Sequence, residues 1–113
     1  MAIQDGSEFT VEIRDAEGPV VVILSGELDL ATAPELRECL QSLGTDRPRD
    51  VLVDLASLTF IDSTGISVLV MACKRTRSQG SSFSIVSPHP NTYRALQVTG
   101  ILDFLMAPLP DQD

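Results

Sequence analysis

Three short apolar runs, "VVVILSG" (20–26), "DVLVDL" (50–55) and "SFSIV" (82–86), recur along the chain, separated by stretches long enough to hold a helix. This alternation is the strongest constraint on the fold. Apolar runs of this length suit strands covered on both faces, and neighbouring parallel strands need a long crossover, for which an α-helix is the usual solution. Ahead of the first run, "FTVEIRD" alternates apolar and polar residues and "DAEGP" reads as a turn, so a hairpin leads into the sheet. The expected fold class is α/β: a mixed β-sheet, made of an N-terminal hairpin plus parallel strands, flanked by about three helices.

The crossovers carry helix signals. In "ATAPELRECLQSLG", Thr32 and Glu35 have capping-box spacing, Pro34 lies in the first turn, and Leu36, Cys39, Leu40 and Leu43 form one helical stripe that ends before Gly44. A second helix is expected to start with Ser63 as N-cap and Thr64 as first helical residue, and to run to about Ser78. A last helix starts near Asn91, just after Pro90, and stops at Gly100; "FLMA" then reads as a short edge strand.

With 113 residues the chain is expected to be one domain, 1–113, with its core over about 9–106 and a flexible tail, "APLPDQD", over 107–113. The balance of 8 Lys+Arg against 16 Asp+Glu gives a net charge of −8, which opposes direct nucleic-acid binding and attraction to anionic lipid and favours a basic partner surface. Cys39 and Cys73 lack metal-ligand spacing and lie on apolar helix faces, as free thiols do. The opening "MAIQDGSEFT" has no leader pattern and no apolar run is long enough to span a bilayer, so a cytoplasmic protein without membrane insertion is expected.

In sheets of this kind the functional crevice lies beyond the carboxyl ends of the parallel strands. Two loops meet there, "GELDLAT" and "SLTFIDSTG", which makes the start of the Ser63 helix the candidate site. At 100° per residue, Ile66, Leu69, Val70 and Cys73 form the expected core stripe, while Thr64, Val68, Met71 and Arg75 fall on the opposite side, flanked by Ser67 and Lys74. Two readings of Val68 and Met71 stand: another element of the domain covers them, or they form a partner site beside the hydroxyls. Lys74, Arg75 and Arg77 sit where cations complement the carbonyl end of the helix dipole. Asp62, with Glu27 and Asp29 from the adjacent loop, makes the hydroxyl end acidic. Ser63 itself reads either as a plain cap or as a hydroxyl that another protein modifies.

No catalytic constellation is found. "DSTG" differs from the aspartic-protease turn because its glycine comes one place late, and a nucleophile elbow would need glycine where Ile61 stands. The single histidine, His89 in "SPHPN", reads as an exposed loop residue. Metal-ligand clusters, a P-loop and G-x-G-x-x-G are absent from the sequence, so neither enzymatic activity nor a cofactor is expected.

Together, "GELDLATAPELRECL" and "VDLASLTFIDSTGISVLV" resemble the STAS domains of bacterial anti-sigma-factor antagonists over about Phe9 to Met106. That resemblance implies a small mixed sheet flanked by helices and a function by partner switching. The unmodified protein captures an anti-sigma serine kinase of the GHKL ATPase type and frees sigma factor; phosphorylation releases the kinase, and a metal-dependent serine phosphatase resets the switch. By matching position, Ser63 is the phosphoacceptor, Asp62 and Thr64 are its motif neighbours, and Gly65 permits close backbone approach. The partner surface then comprises Asp62, Ser63, Thr64, Gly65, Ser67, Val68 and Met71, with Glu27 and Asp29 from the neighbouring loop. An alternative within the same family is an accessory subunit of a lipid or anion transport complex. Family members usually continue into a further C-terminal helix where this chain runs into "PLPDQD", so apolar surface near Leu102 and Leu105 is expected to be uncovered; the oligomeric state is left open.

Overall fold

A computed structural model describes residues 8–15, 17–45 and 47–106. The order of elements is β1 (Thr10–Asp15), β2 (Val20–Leu28), α1 (Ala33–Ser42), β3 (Val51–Ile61), α2 (Ser63–Ser78), β4 (Phe83–Val86), α3 (Pro90–Val98) and α4 (Leu102–Leu105). The strands form a 4-stranded sheet in the order β1-β2-β3-β4. β1 and β2 pair antiparallel from Thr10↔Ser25 to Asp15↔Val20, whereas β2–β3 and β3–β4 are parallel. This is the mixed sheet expected from the hairpin and the crossovers. The hairpin is tied to the start of β3 by Arg49, whose Nη2 lies 2.7 Å from Asp15 Oδ1 and holds that carboxyl below its usual pKa.

One face of the sheet is buried with strand periodicity: Val20, Val22 and Leu24 on β2, Val51, Val53 and Leu55 on β3, Phe83 and Ile85 on β4. These residues form one core with Ala33, Leu36 and Leu40 of α1 and Leu69 and Cys73 of α2. Beyond Leu55 the period of two fails, because Leu55, Leu58 and Ile61 are all buried at a spacing of three. Two register shifts explain it. Pairing passes from Ile23↔Asp54 to Ser25↔Ser57, then from Gly26↔Leu58 to Glu27↔Phe60, and each step adds one extra residue to β3. A bulge of this kind returns the next apolar residue to the core face and bends the strand. The segment "SLTFI", read from sequence as loop, is therefore the bulged end of β3, and β2 likewise continues through Leu28.

The second bulge needs Gly26. Its φ is +95°, and a Cβ there would overlap the Glu8 carbonyl oxygen and come within 3.1 Å of Phe9 Cα. Both contacts are backbone, so neither can rotate away.

Two expectations are corrected at the C-terminal end. The segment expected as an edge strand is the short helix α4, in which Leu102 and Leu105, at i and i+3, both point into the core and are 8% and 0% exposed rather than uncovered. Arg75 and Arg77 lie in the last turn of α2 as expected, but their hydrogen bonds go to other elements. Arg77 Nη2 donates to Phe104 O at 2.8 Å and Phe83 O at 3.1 Å, with its guanidinium 4.7 Å from the Phe104 ring centre, so it clamps α4 to β4. Arg75 Nη2 donates to Leu40 O at 2.8 Å and so caps the carbonyl end of α1. The expected tail, 107–113, lies outside the described residues. Among the described residues no helix is long and apolar enough to cross a membrane.

Cys73 is fully buried and Cys39 half-buried. Burial pushes both thiols above their ordinary pKa; the Glu35 carboxylate pushes Cys39 further, while Arg77 partly opposes the shift at Cys73. Each thiolate therefore forms only at a pH above that of a free cysteine.

Two outcomes follow. Gly26→Ala should lower stability by about 1–3 kcal/mol, read as a reduced urea midpoint at unchanged m-value. Iodoacetamide at neutral pH should alkylate the native thiols far more slowly than the urea-unfolded ones, Cys73 slowest, with peptide mass spectrometry giving the ranking.

Candidate functional site

The site is built where β2 and β3 end side by side. Leu28 and Ile61 are the last pair, and Asp62 N donates to Leu28 O at 3.1 Å, which carries the pairing one step beyond the strands. After Leu28, the loop into α1 is closed by its own side chains. Asp29 Oδ1 accepts from Ala31 N at 3.0 Å and Thr32 N at 3.1 Å; Thr32 Oγ1 accepts from Asp29 N at 2.9 Å and donates to Glu27 O at 3.0 Å. This is an Asx turn. Thr32 is the N-cap residue of α1, but the expected capping-box hydrogen bond does not form, because its hydroxyl is turned back into the loop and its backbone (φ −102°, ψ −15°) is already helical.

At the start of α2 the roles of Asp62 and Ser63 differ from expectation. Asp62 is the N-cap: its backbone is extended, its Oδ1 accepts from Gly65 N at 3.0 Å and its carbonyl from Ile66 N at 2.9 Å. Asp and Ser are equally good caps, and "DS" places the two side by side; the hydrogen bond from Asp62 N to Leu28 O keeps Asp62 extended and so decides between them. Ser63 is thereby displaced to the first helical position. Its side chain is exposed and, among the described residues, its Oγ has no hydrogen-bond partner.

The same turn is seated on the strand ends through Gly65. A Cβ at this position would lie 2.6 Å from Leu28 Cγ and 3.0 Å from Ile61 Cγ1, both core side chains. Only glycine lets the helix approach so closely.

Along α2 the buried side is Gly65, Val68, Leu69, Cys73 and Thr76. Val68, expected on the exposed side, is 6% exposed and part of the core, whereas Met71 is 67% exposed. The helix wheel assumed one covering surface, and α2 has two: the sheet, and α1 packed alongside. Between α1 and α2 runs an open groove of ≈ 760 Å³, lined by Ser63, Thr64, Ser67 and Met71 of α2 and by Arg37 and Gln41 of α1, with Val68 in its floor. Five expected site residues, Ser63, Thr64, Ser67, Val68 and Met71, thus share one groove, whose end Asp62 and Gly65 hold. Glu27, expected in the loop, lies in the last residues of β2, and Asp29 in the loop after it; neither lines the groove, and the Asp29 carboxylate is engaged by its own turn.

Two exposed apolar residues near the site escaped sequence reasoning: Leu30, 73% exposed at the tip of the Asx turn, and Phe60, 47% exposed and paired with Glu27 at the end of β3. Leu30 carries no periodic signal, but its place between Asp29 and Thr32 was a usable one. Phe60 was missed because "SLTFI" reads as loop rather than as the continuation of β3. His89, expected as an exposed loop residue, is half-buried and caps α3, its Nδ1 accepting from Asn91 N at 3.1 Å and its backbone N–H donating to Leu55 O at 3.1 Å.

The cap assignment is checked by substitution. Asp62→Ala should cost about 1 kcal/mol in chemical denaturation and Ser63→Ala less than about 0.5, an order that would reverse if Ser63 were the cap. Gly65→Ala should cost about 1–3 kcal/mol, since Leu28 and Ile61 have nowhere to move in a packed core.

The STAS domain family model matches residues 10–111. The chain is 30% identical over 97 residues to the anti-sigma-B factor antagonist of Bacillus subtilis (strain 168), covering 86% of this chain and 88% of the relative. It is 32% identical over 84 residues to the protein of the same name from Staphylococcus aureus (strain NCTC 8325 / PS 47), covering 74% and 78%. Among solved structures, an anti-sigma factor antagonist from Mycobacterium paratuberculosis superposes with a TM-score of 0.78 at 28% identity, covering 98% of this chain and 93% of that one. A family model matched over residues 10–111 and relatives 30% and 32% identical over most of the chain lead to one conclusion: this protein belongs to the STAS domain family.

Proposed function

We propose that the protein is an anti-sigma-factor antagonist, a regulatory binding protein rather than an enzyme, switched by phosphorylation of Ser63. Unmodified, it binds an anti-sigma serine kinase of the GHKL ATPase type and so releases sigma factor; a metal-dependent serine phosphatase reverses the modification. The relatives' names supply the class of partner. The observation that carries the mechanism is the Ser63 hydroxyl, exposed and without a hydrogen-bond partner at the first position of α2, beside the exposed Met71 side chain.

A modifying enzyme needs an alcohol it can reach without unfolding its substrate. Because Asp62 holds the cap, converting the Ser63 hydroxyl to a phosphate ester takes no hydrogen bond away from the helix. The added group carries close to two negative charges at neutral pH. The helix N-terminus tolerates that charge, while the neighbouring Asp62 carboxylate and the apolar groove oppose it at the docking face. Association weakens and the fold persists.

Incubation with a cognate kinase and ATP, followed by phosphopeptide mapping, should label Ser63 and leave Ser63→Ala unlabelled; label confined to another residue would refute the assignment. Kinase binding by Ser63→Asp should be at least about tenfold weaker than by Ser63→Ala, measured by calorimetry, and equal affinities would refute the electrostatic switch.

A further inference from the structure

Of the 8 Lys and Arg residues in a chain of net charge −8, three, Arg37, Lys74 and Arg75, line the groove between α1 and α2, and no Asp or Glu among the described residues lines it. Arg75 is spent on the Leu40 carbonyl. Arg37 and Lys74 are exposed, and among the described residues neither has a carboxylate within ion-pair distance. Elsewhere, Arg14 and Arg49 are each paired to an acid, and Arg77 is held by two carbonyls. Arg47 and Arg94 lie outside the groove, which therefore gathers three of the 8 cations, two of them without an ion-pair partner among the described residues, on a protein that is otherwise acidic. Its floor is apolar: Leu40, Val68 and Ala72, with Met71 standing at the edge.

A channel between two helices, greasy below and cationic at the rim, matches one kind of occupant. The geometry points to an amphipathic helix of the partner protein, with apolar side chains on Met71, Val68 and Ala72 and with Asp or Glu side chains facing Arg37 and Lys74. This deepens the proposed regulatory reading and rests on it, since Ser63 opens the same groove. It also gives the surface a polarity. The acidic Asp62 end asks for a cation from the partner and the Lys74 end for an anion, so a helix seated in the reverse direction would set like charges against each other. The exposed thioether of Met71 suits such a contact, being flexible and polarizable.

The test uses the full chain and the serine kinase that labels Ser63. Arg37→Glu combined with Lys74→Glu should raise the dissociation constant at least about tenfold, with Arg37→Gln plus Lys74→Gln intermediate, while urea midpoints stay near wild type. Swapping carboxylates of one partner helix for lysines should restore binding to the Glu pair. Unchanged or tighter binding by the charge-reversed protein, in the presence of wild-type binding and Ser63 labelling, would overturn the groove assignment and leave the regulatory reading standing. Failure of the wild type to bind would overturn both. Sedimentation of the protein alone supplies a further arm: a dimer abolished by the Glu pair would give the groove to a second copy and overturn the proposal.

Discussion

The rest of the site depends on how closely the first turn of α2 is pressed onto the ends of β2 and β3. A hydrogen bond from Asp62 N to Leu28 O and the absence of a side chain at Gly65, over Leu28 and Ile61, fix the position of the helix start. That seating keeps Asp62 extended, which makes it the N-cap, and the cap in turn leaves Ser63 with nothing to do inside the fold. One steric contact thus settles which of two adjacent, equally capable residues is structural and which is free.

The bulges in β3 belong to the same construction. Without them, strict alternation from Val51 would place every second residue on the core face, and Leu58 would turn to the open face of the sheet. The first extra residue turns Leu58 to the core, and the second restores the original phase so that Ile61 also faces the core, beneath Gly65. The positive φ at Gly26 and the close approach of Glu8 and Phe9 accompany the second shift. The bulges thereby set where the strand end beneath Gly65 lies, and with it where the Ser63 hydroxyl stands.

The architecture was legible because it rests on signals of ten or more residues: apolar runs at a steady spacing, a Leu36–Leu40–Leu43 stripe, Pro and Gly at helix ends. The site residues were legible as a cluster because the ends of adjacent parallel strands are neighbours in any such sheet. What could not be read were decisions made by tertiary contacts. The choice between Asp62 and Ser63 as cap needs the Leu28 carbonyl, the burial of Val68 needs α1 alongside, and the burial of Leu58 needs the first bulge. Arg75 and Arg77 have the pattern of dipole-compensating cations, and only the packed structure reveals that they reach across to α1 and α4. Leu102 and Leu105 were expected to lack cover because the sequence runs from them into "PLPDQD", yet a single turn buries them against the core that precedes them.

Helix α2 carries the proposed switch at one end and anchorage at the other, and magnitudes explain why these can be independent. Arg75 and Arg77 join α2 to α1, β4 and α4 through charge-assisted hydrogen bonds to carbonyls, contacts worth roughly 1.5–3 kcal/mol each. A phosphate at Ser63 acts three turns away, where charge repulsion is spread over an exposed helix start and is screened within about 10 Å. It therefore changes little in the fold. Across an interface from which water is being expelled the same two charges meet a lower dielectric and an apolar groove, and their effect grows several-fold. A modification nearly silent in the free protein can then dominate the energy of the complex, with no need for the backbone to move.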